Sequence, residues 1–300
     1  NPVSSEAMLI YTAIGLANYI KGDFKAGYEA SCKAIELGKK LEYQRMSGYA
    51  YAYSALNGHN LGLLDEAWEH ANQALNIGQT YGHYEISALA YRTFGNTYMQ
   101  LGDYQSAVEY FQKGVQVAGE HFVALELMTL LGYSLASIGQ VKEGLEYLTR
   151  AYETASQLHL GSISVYAHSV LLFNRSVHNV DNSNLLEEIE HALADAKSRP
   201  VNKAVVILQA LFGRVSKRPE DFIKQMNESL QGASRLSDLL LEARLLQDLI
   251  VHKKNRDLPC KTEMDRLDAI LEELAPRAVG MPYENAWNKY YNSMKTIGNL

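Results

Sequence analysis

Arg92 and Asn96 stand four residues apart, which places both side chains on one face of a helix, one turn from each other. A guanidinium binds a carboxylate through paired hydrogen bonds, and a side-chain amide pairs with a peptide backbone. The pair therefore predicts a site for a polypeptide ligand. The alternative is structural, because Glu85 shares this helix face and would form a solvated ion pair with Arg92.

The motifs of common enzyme active sites are incomplete in this sequence. The Gly-Lys-Lys segment at 38–40 lacks the upstream glycine and the following Ser or Thr of a phosphate-binding loop, and the segment 132–136 lacks the last glycine of a nucleophile elbow. The nine histidines form no metalloprotease pair, and Cys32 and Cys260 have no second cysteine at metal-ligand spacing. We therefore expect a protein that is not an enzyme and that uses no metal or other cofactor.

Composition narrows the class of partner. The 300 residues contain 28 Lys and Arg against 34 Asp and Glu, a formal net charge of −6, so the basic surface that nucleic acids require is missing. No segment approaches the run of about 18 apolar residues that spans a bilayer. Two cysteines cannot supply a disulfide framework, which favours a reducing compartment. These features predict a cytoplasmic protein with no nucleic-acid or membrane partner.

The elements that would position Arg92 and Asn96 are visible as a repeat. A small residue recurs at positions 15, 55, 95 and 132, and a second small residue follows each of them 12 positions later. Small side chains at both places let two antiparallel helices approach closely, and a glycine between them permits the tight turn. Residues 3–199 contain no proline and are free to be helical. The pattern predicts a series of helical hairpins.

The third copy of this repeat resembles the tetratricopeptide repeat family. Its signature residues are Tyr91, Phe94, Gly95, Tyr98, Leu101, Gly102, Tyr104, Ala107, Phe111 and Gly114. The spacing of 40, 40 and 37 residues exceeds the usual period of about 34, and the closing proline is absent. This longer variant resembles repeats in sensor regions of bacterial ATPase-coupled regulators and in polarity adaptors.

The resemblance implies an all-α fold, a right-handed α-solenoid of about seven antiparallel helix hairpins with a C-terminal capping helix. We expect residues 1–160 to form four such repeats. Residues 161–300 keep the apolar period of helices while the signature fades, so we expect degenerate repeats and a cap that continue the first part. The segment 284–297 has the pattern of the capping helix.

In repeats of this kind, the first helix of every unit lines the concave face. The predicted ligand-binding residues share that face and are Tyr19, Arg45, Tyr49, Tyr53, Glu85, Arg92, Asn96, Met99, Gln100 and Tyr133. Tyrosine offers contact area and a hydroxyl group at small entropic cost. For the four tyrosines, packing in the core or at the edge of the groove is the alternative.

We therefore expect a module that binds a protein or peptide on its concave face. The alternative is a regulatory sensor region of a larger signalling ATPase, adenylate cyclase or transcription activator whose output domain is not in this chain. The subtype resemblance and a first residue other than Met motivate this alternative. RNA binding by helical repeats is disfavoured by the charge balance.

Overall fold

The computed structural model describes residues 4–199, 202–216 and 218–299, and these contain fifteen α-helices, one 3-10 helix and no strand. The α-helices are α1 (Ser5–Lys21), α2 (Phe24–Lys40), α3 (Gln44–Asn60), α4 (Leu64–Tyr81), α5 (Tyr84–Gln100), α6 (Tyr104–Ala118), α7 (Val123–Ser137), α8 (Val141–Gln157), α9 (Gly161–His178), α10 (Leu185–Lys197), α11 (Asn202–Val215), α12 (Pro219–Leu236), α13 (Leu239–Lys254), α14 (Lys261–Leu274) and α15 (Glu284–Asn299). The 3-10 helix spans Ala275–Ala278. No described helix is both long and apolar enough to cross a bilayer.

The helices pair in chain order, α1 with α2 through α13 with α14, and form seven hairpins followed by α15. Helix α1 contacts α3, and the same contact recurs from α3 to α5, α5 to α7, α7 to α9 and α9 to α11. The first helices of these hairpins therefore form a continuous inner layer, and the second helices form the outer layer. The predicted all-α, right-handed solenoid of seven hairpins and a final helix is confirmed. The boundary near residue 160 stays a prediction.

Glycines make the hairpin turns, as the repeat pattern predicted. The turn glycines adopt positive φ angles: 78° at Gly22, Gly62 and Gly102, and 93° at Gly139. This left-handed conformation strains residues that carry a Cβ. After the first turn, Asp23 accepts a hydrogen bond from the backbone N–H of Ala26 and so caps α2.

Small residues set the distance between the paired helices. At the crossing of α7 and α8, a Cβ added at Gly144 would lie 2.5 Å from the carbonyl oxygen of Gly132 and 2.8 Å from the backbone nitrogen of Ala136. These neighbours are backbone atoms, so they move only if the helices separate. The two small-residue columns of the sequence thus correspond to backbone contacts inside one hairpin.

We predict that Gly144→Ala lowers the free energy of unfolding by about 2 kcal/mol, because overpacking at the crossing outweighs the gain in helix propensity of about 1 kcal/mol. Urea unfolding followed by circular dichroism measures this change. Gly161→Ala is the control, since its added Cβ meets only the far end of the Arg199 side chain, which can swing away. A Gly144→Ala protein as stable as the wild type would contradict the proposed helix contact.

The C-terminal helices lie across the turns of the early hairpins. Arg277 of the 3-10 helix donates to Asp65 of α4 at 2.8 Å, and the Tyr98 hydroxyl donates to the carbonyl oxygen of Pro282 at 3.1 Å. The rings of Trp68 and Tyr283 lie 5.3 Å apart between centroids. Contacts between distant segments therefore close the solenoid on itself.

Helix α15 packs against the early hairpins. Its apolar side chains, Trp287, Tyr290, Met294 and Ile297, are buried in the same core cluster as residues of α3 to α7. The amphipathic pattern of segment 284–297 predicted this helix, although not the early hairpins against which it packs.

A two-residue turn joins α12 to α13. Leu236 is the last residue of α12, and Ser237 follows with a positive φ of 55°. Asp238 then accepts a hydrogen bond of 3.0 Å from the backbone N–H of Leu241 and starts α13.

Candidate ligand-binding site

The inner layer surrounds two adjoining cavities. The smaller, about 110 Å³, is here named the polar pocket, and its polar lining includes Tyr19, His59, Arg92, Asn96, Gln100 and Glu126. The larger, about 570 Å³, is named the aromatic chamber, and its lining includes Tyr104, Tyr133, Tyr166, Phe173, Arg244 and Tyr290. Met99, Gln100 and Tyr166 line both, so the two cavities lie side by side. Together they form the lumen of the solenoid.

Arg92 lies at the centre of the polar pocket and is 6% exposed. Its guanidinium donates to Glu126 of α7 at 2.5 Å and to the Tyr19 hydroxyl of α1 at 2.7 Å. Burial opposes the charge, but the Glu126 carboxylate outweighs it and raises the pKa of Arg92 above its ordinary value. The alternative of a solvated pair with Glu85 is therefore wrong, because Glu126 of the next hairpin takes that place.

Glu85 belongs to a second group of predicted residues, nearer the start of α3 and α5. It accepts a hydrogen bond from the Tyr49 hydroxyl, while Arg45 donates to His83 Nε2 at 2.9 Å. Burial and the Glu85 hydrogen bond raise the pKa of Tyr49. Tyr53 stacks on Tyr49 with 6.3 Å between ring centroids. This second group is therefore separate from the contacts of Arg92, and Tyr53 lies next to it on α3.

Asn96 and Gln100 follow Arg92 along α5, one helical turn apart, and both are buried. Their side-chain oxygens, Asn96 Oδ1 and Gln100 Oε1, have no hydrogen-bond partner among the described residues. Buried polar atoms are normally hydrogen-bonded. These two oxygens on one wall of the pocket can therefore accept hydrogen bonds from a ligand. Met99 lies between them and presents an apolar surface to both cavities.

His59 of α3 also lines the polar pocket and is 2% exposed. Its ring lies beside the backbone of Asn96, and neither ring nitrogen has a side-chain partner among the described residues. Burial, reinforced by the nearby Lys203 ammonium, lowers the pKa of His59 to about 4. Lys203 itself donates to Asn60 and to Asp238, each at 2.8 Å. His59 is therefore neutral at physiological pH.

The aromatic chamber contains Tyr133, the last of the residues predicted from the sequence. Its hydroxyl accepts a hydrogen bond of 3.2 Å from Arg244 of α13. Arg244 also donates to the Met99 carbonyl oxygen at 2.8 Å and to the Tyr104 hydroxyl at 3.3 Å. Arg244 was not predicted, since its segment carries no repeat signature. The one available signal was an arginine inside the apolar run 239–251.

The same explanation covers the other lumen residues that the sequence did not reveal. Tyr166, Lys203 and Tyr290 all lie after residue 160, where no repeated column assigns a helix face. No group of three or more His, Cys, Asp or Glu side chains within the described ranges is arranged to hold a metal ion.

The sequence of this chain matches known repeat proteins. Residues 49–120 match the tetratricopeptide repeat family. Response regulator aspartate phosphatase H of Bacillus subtilis (strain 168) is 29% identical over 176 residues, 53% of this chain and 46% of the relative. Small glutamine-rich tetratricopeptide repeat-containing protein 2 of Mycosarcoma maydis is 37% identical over 95 residues, 32% of this chain and 24% of the relative. The chain thus matches less than half the length of each.

A solved structure shares the architecture. The crystal structure of a Rap protein complexed with competence and sporulation factor superposes with a TM-score of 0.71, over 90% of this chain and 76% of that chain. The sequence identity is 14%, so the likeness shows a common fold alone.

Proposed function

We propose that this chain, which carries tetratricopeptide repeats in a right-handed α-solenoid, binds an extended peptide in its lumen. The observation that carries the proposal is the pair of unpartnered oxygens, Asn96 Oδ1 and Gln100 Oε1, on adjacent turns of α5. The backbone of an extended peptide presents N–H groups that such acceptors bind. Met99 and Tyr133 offer apolar and aromatic contacts for side chains.

The proposed module acts by binding rather than by catalysis. Arg92 and Lys203, which line the same pocket as the amides, are held by Glu126 and Asp238. Such fixed ion pairs shape a pocket. The Rap protein of similar fold was crystallised with competence and sporulation factor, which supports ligand binding by this architecture.

A second candidate is a regulatory sensor region. It is favoured by the relative named response regulator aspartate phosphatase H, of which the matching segment covers only 46%. In this candidate, peptide binding in the lumen would control an output located outside the matching segment. Peptide binding by this chain is common to both candidates.

We predict that Asn96→Ala weakens peptide binding about tenfold, because a buried hydrogen bond to the ligand is lost. A synthetic pool of random hexapeptides is incubated with the protein, retained peptides are identified by mass spectrometry, and their dissociation constants are measured by calorimetry. The melting temperature should hardly change, since Asn96 Oδ1 has no partner within the described chain.

The matched control is Asn72→Ala, an exposed asparagine on the outer helix α4. We expect it to bind the retained peptides like the wild type. Retention of no peptide by the wild-type protein would overturn the proposed function. Equal affinities of wild type and Asn96→Ala would remove Asn96 from the site.

A further inference from the structure

Arg244 differs from Arg92, Lys203 and Arg214 in lacking a carboxylate partner among the described residues. Arg92 pairs with Glu126, Lys203 with Asp238 and Arg214 with Asp248. Arg244 donates to four neutral oxygens, those of the Tyr133 and Tyr104 hydroxyls and of the Met99 and Gln100 carbonyls. No acidic side chain within the described ranges forms an ion pair with it. The guanidinium also has more N–H donors than these oxygens use.

Such a charge is costly unless something compensates it. Burial disfavours the charged form, yet the surrounding tyrosines keep the pKa of Arg244 above its ordinary value, so the side chain stays cationic. The side chain is partly buried, and an anion placed beside such a charge recovers part of the cost of removing it from water. Lys203, Arg214 and Lys289 line the chamber with Arg244, against the single carboxylate of Asp248. The chamber is therefore electropositive.

Tyr290 gives an independent indication of a ligand in the same chamber. Its side chain is 7% exposed, and its hydroxyl has no hydrogen-bond partner among the described residues. Burial raises the pKa of Tyr290 to about 12, so the hydroxyl keeps its proton and remains a donor. The Tyr290 hydroxyl has no acceptor and Arg244 has no anionic partner among the described residues. A single anionic acceptor group would satisfy both.

We propose that the aromatic chamber binds a carboxylate of the peptide, held by Arg244 and the Tyr290 hydroxyl between aromatic side chains. This inference rests on the proposed peptide binding and adds the chemistry that the chamber selects. The carboxylate belongs either to the C-terminus of the peptide or to an Asp or Glu side chain. Both sources offer the same acceptor oxygens, and a neutral amide offers no charge to compensate Arg244.

Three synthetic hexapeptide pools test the proposal: random free acids, the same sequences as C-terminal amides, and amides in which Asn and Gln replace Asp and Glu. Retention by the full chain is quantified by mass spectrometry. We expect the free acids to be retained at least tenfold better than the pool without any carboxylate. The second pool identifies the source, since it is retained like the first only if acidic side chains are bound.

Two failures are distinguishable. If the pool without carboxylates is retained as well as the free acids, carboxylate selection is wrong while peptide binding stands. If no pool is retained, the proposed function fails and this inference fails with it.

Variants of the two residues locate the carboxylate. Tyr290→Phe removes only an unpartnered hydroxyl, so we expect unchanged thermal stability and a several-fold smaller preference for acids over amides. Tyr283→Phe is the control, because that hydroxyl donates to the Arg277 carbonyl oxygen at 2.9 Å, away from the chamber. It should lower stability and leave the preference intact.

Arg244→Gln should abolish the preference, although it also removes the contact between α13 and the Met99 carbonyl. If Arg244→Gln does not fold, Tyr290→Phe still tests the site. An undiminished preference in Tyr290→Phe would overturn the assignment of the site.

Discussion

Replacing Glu126 by glutamine is expected to lower the free energy of unfolding by about 3 kcal/mol, because the substitution leaves a buried guanidinium without its counter-charge. The side chain of Arg92 is almost fully buried, and Glu126 is its only carboxylate partner among the described residues. Glutamine keeps the shape of the side chain and removes only the charge. Urea unfolding at pH 7 and low salt measures the difference.

Glu85→Gln is the matched control. Glu85 is more exposed than Arg92 and accepts its hydrogen bond from the neutral Tyr49 hydroxyl, so its loss should cost less than about 1 kcal/mol. Arg92→Met combined with Glu126→Met should recover much of the stability that Glu126→Gln loses, since no buried charge is then left alone. Equal losses for Glu126→Gln and Glu85→Gln would contradict the central position of the Arg92–Glu126 pair.

Acidification from pH 7 to pH 4 is expected to remove roughly 3 kcal/mol of stability through His59 alone. Burial and Lys203 lower the pKa of His59 from 6.5 to about 4 in the folded state. Between these two pH values, His59 is protonated in the unfolded chain and neutral in the folded chain. Stability therefore falls as the pH falls through this window, and it is constant with respect to His59 above it.

The measurement compares urea unfolding of the wild type and of His59→Gln at a series of pH values. Burial also lowers the pKa of His70 and His168, but these residues are present in both proteins and their contribution cancels. The wild type should lose stability faster than His59→Gln below pH 6.5. Parallel stability curves for the two proteins would refute the assignment to His59.

Much of the architecture follows from short-range features of the sequence. The spacing of small residues predicts hairpins, because a backbone contact such as Gly144 with Gly132 needs only the two helices of one hairpin. The turn glycines and the capping Asp23 likewise act within a few residues. Each of these features can be recognised in a single sequence, because the residues that form it lie close together along the chain.

The candidate site is less accessible to such reasoning. Helix periodicity places Arg92 and Asn96 on the inner face, but the partner of Arg92 is Glu126 on α7 and not Glu85 on its own helix. Arg244 and Tyr290 reach the lumen because the C-terminal helices fold across early turns. No periodic pattern encodes contacts between segments about 145 residues apart. The roles of all ten predicted residues in ligand binding stay predictions.

The contacts of Arg277 with Asp65 and of Tyr98 with Pro282 join positions 212 and 184 residues apart. In an open array, each unit touches only its immediate neighbours, and terminal units can fray or be deleted with a graded loss. In this protein the last hairpin has the second as a neighbour, so the array behaves as a ring. We therefore expect truncation at the C-terminus to destabilise the second and third hairpins as well, and contacts between such distant segments to slow folding.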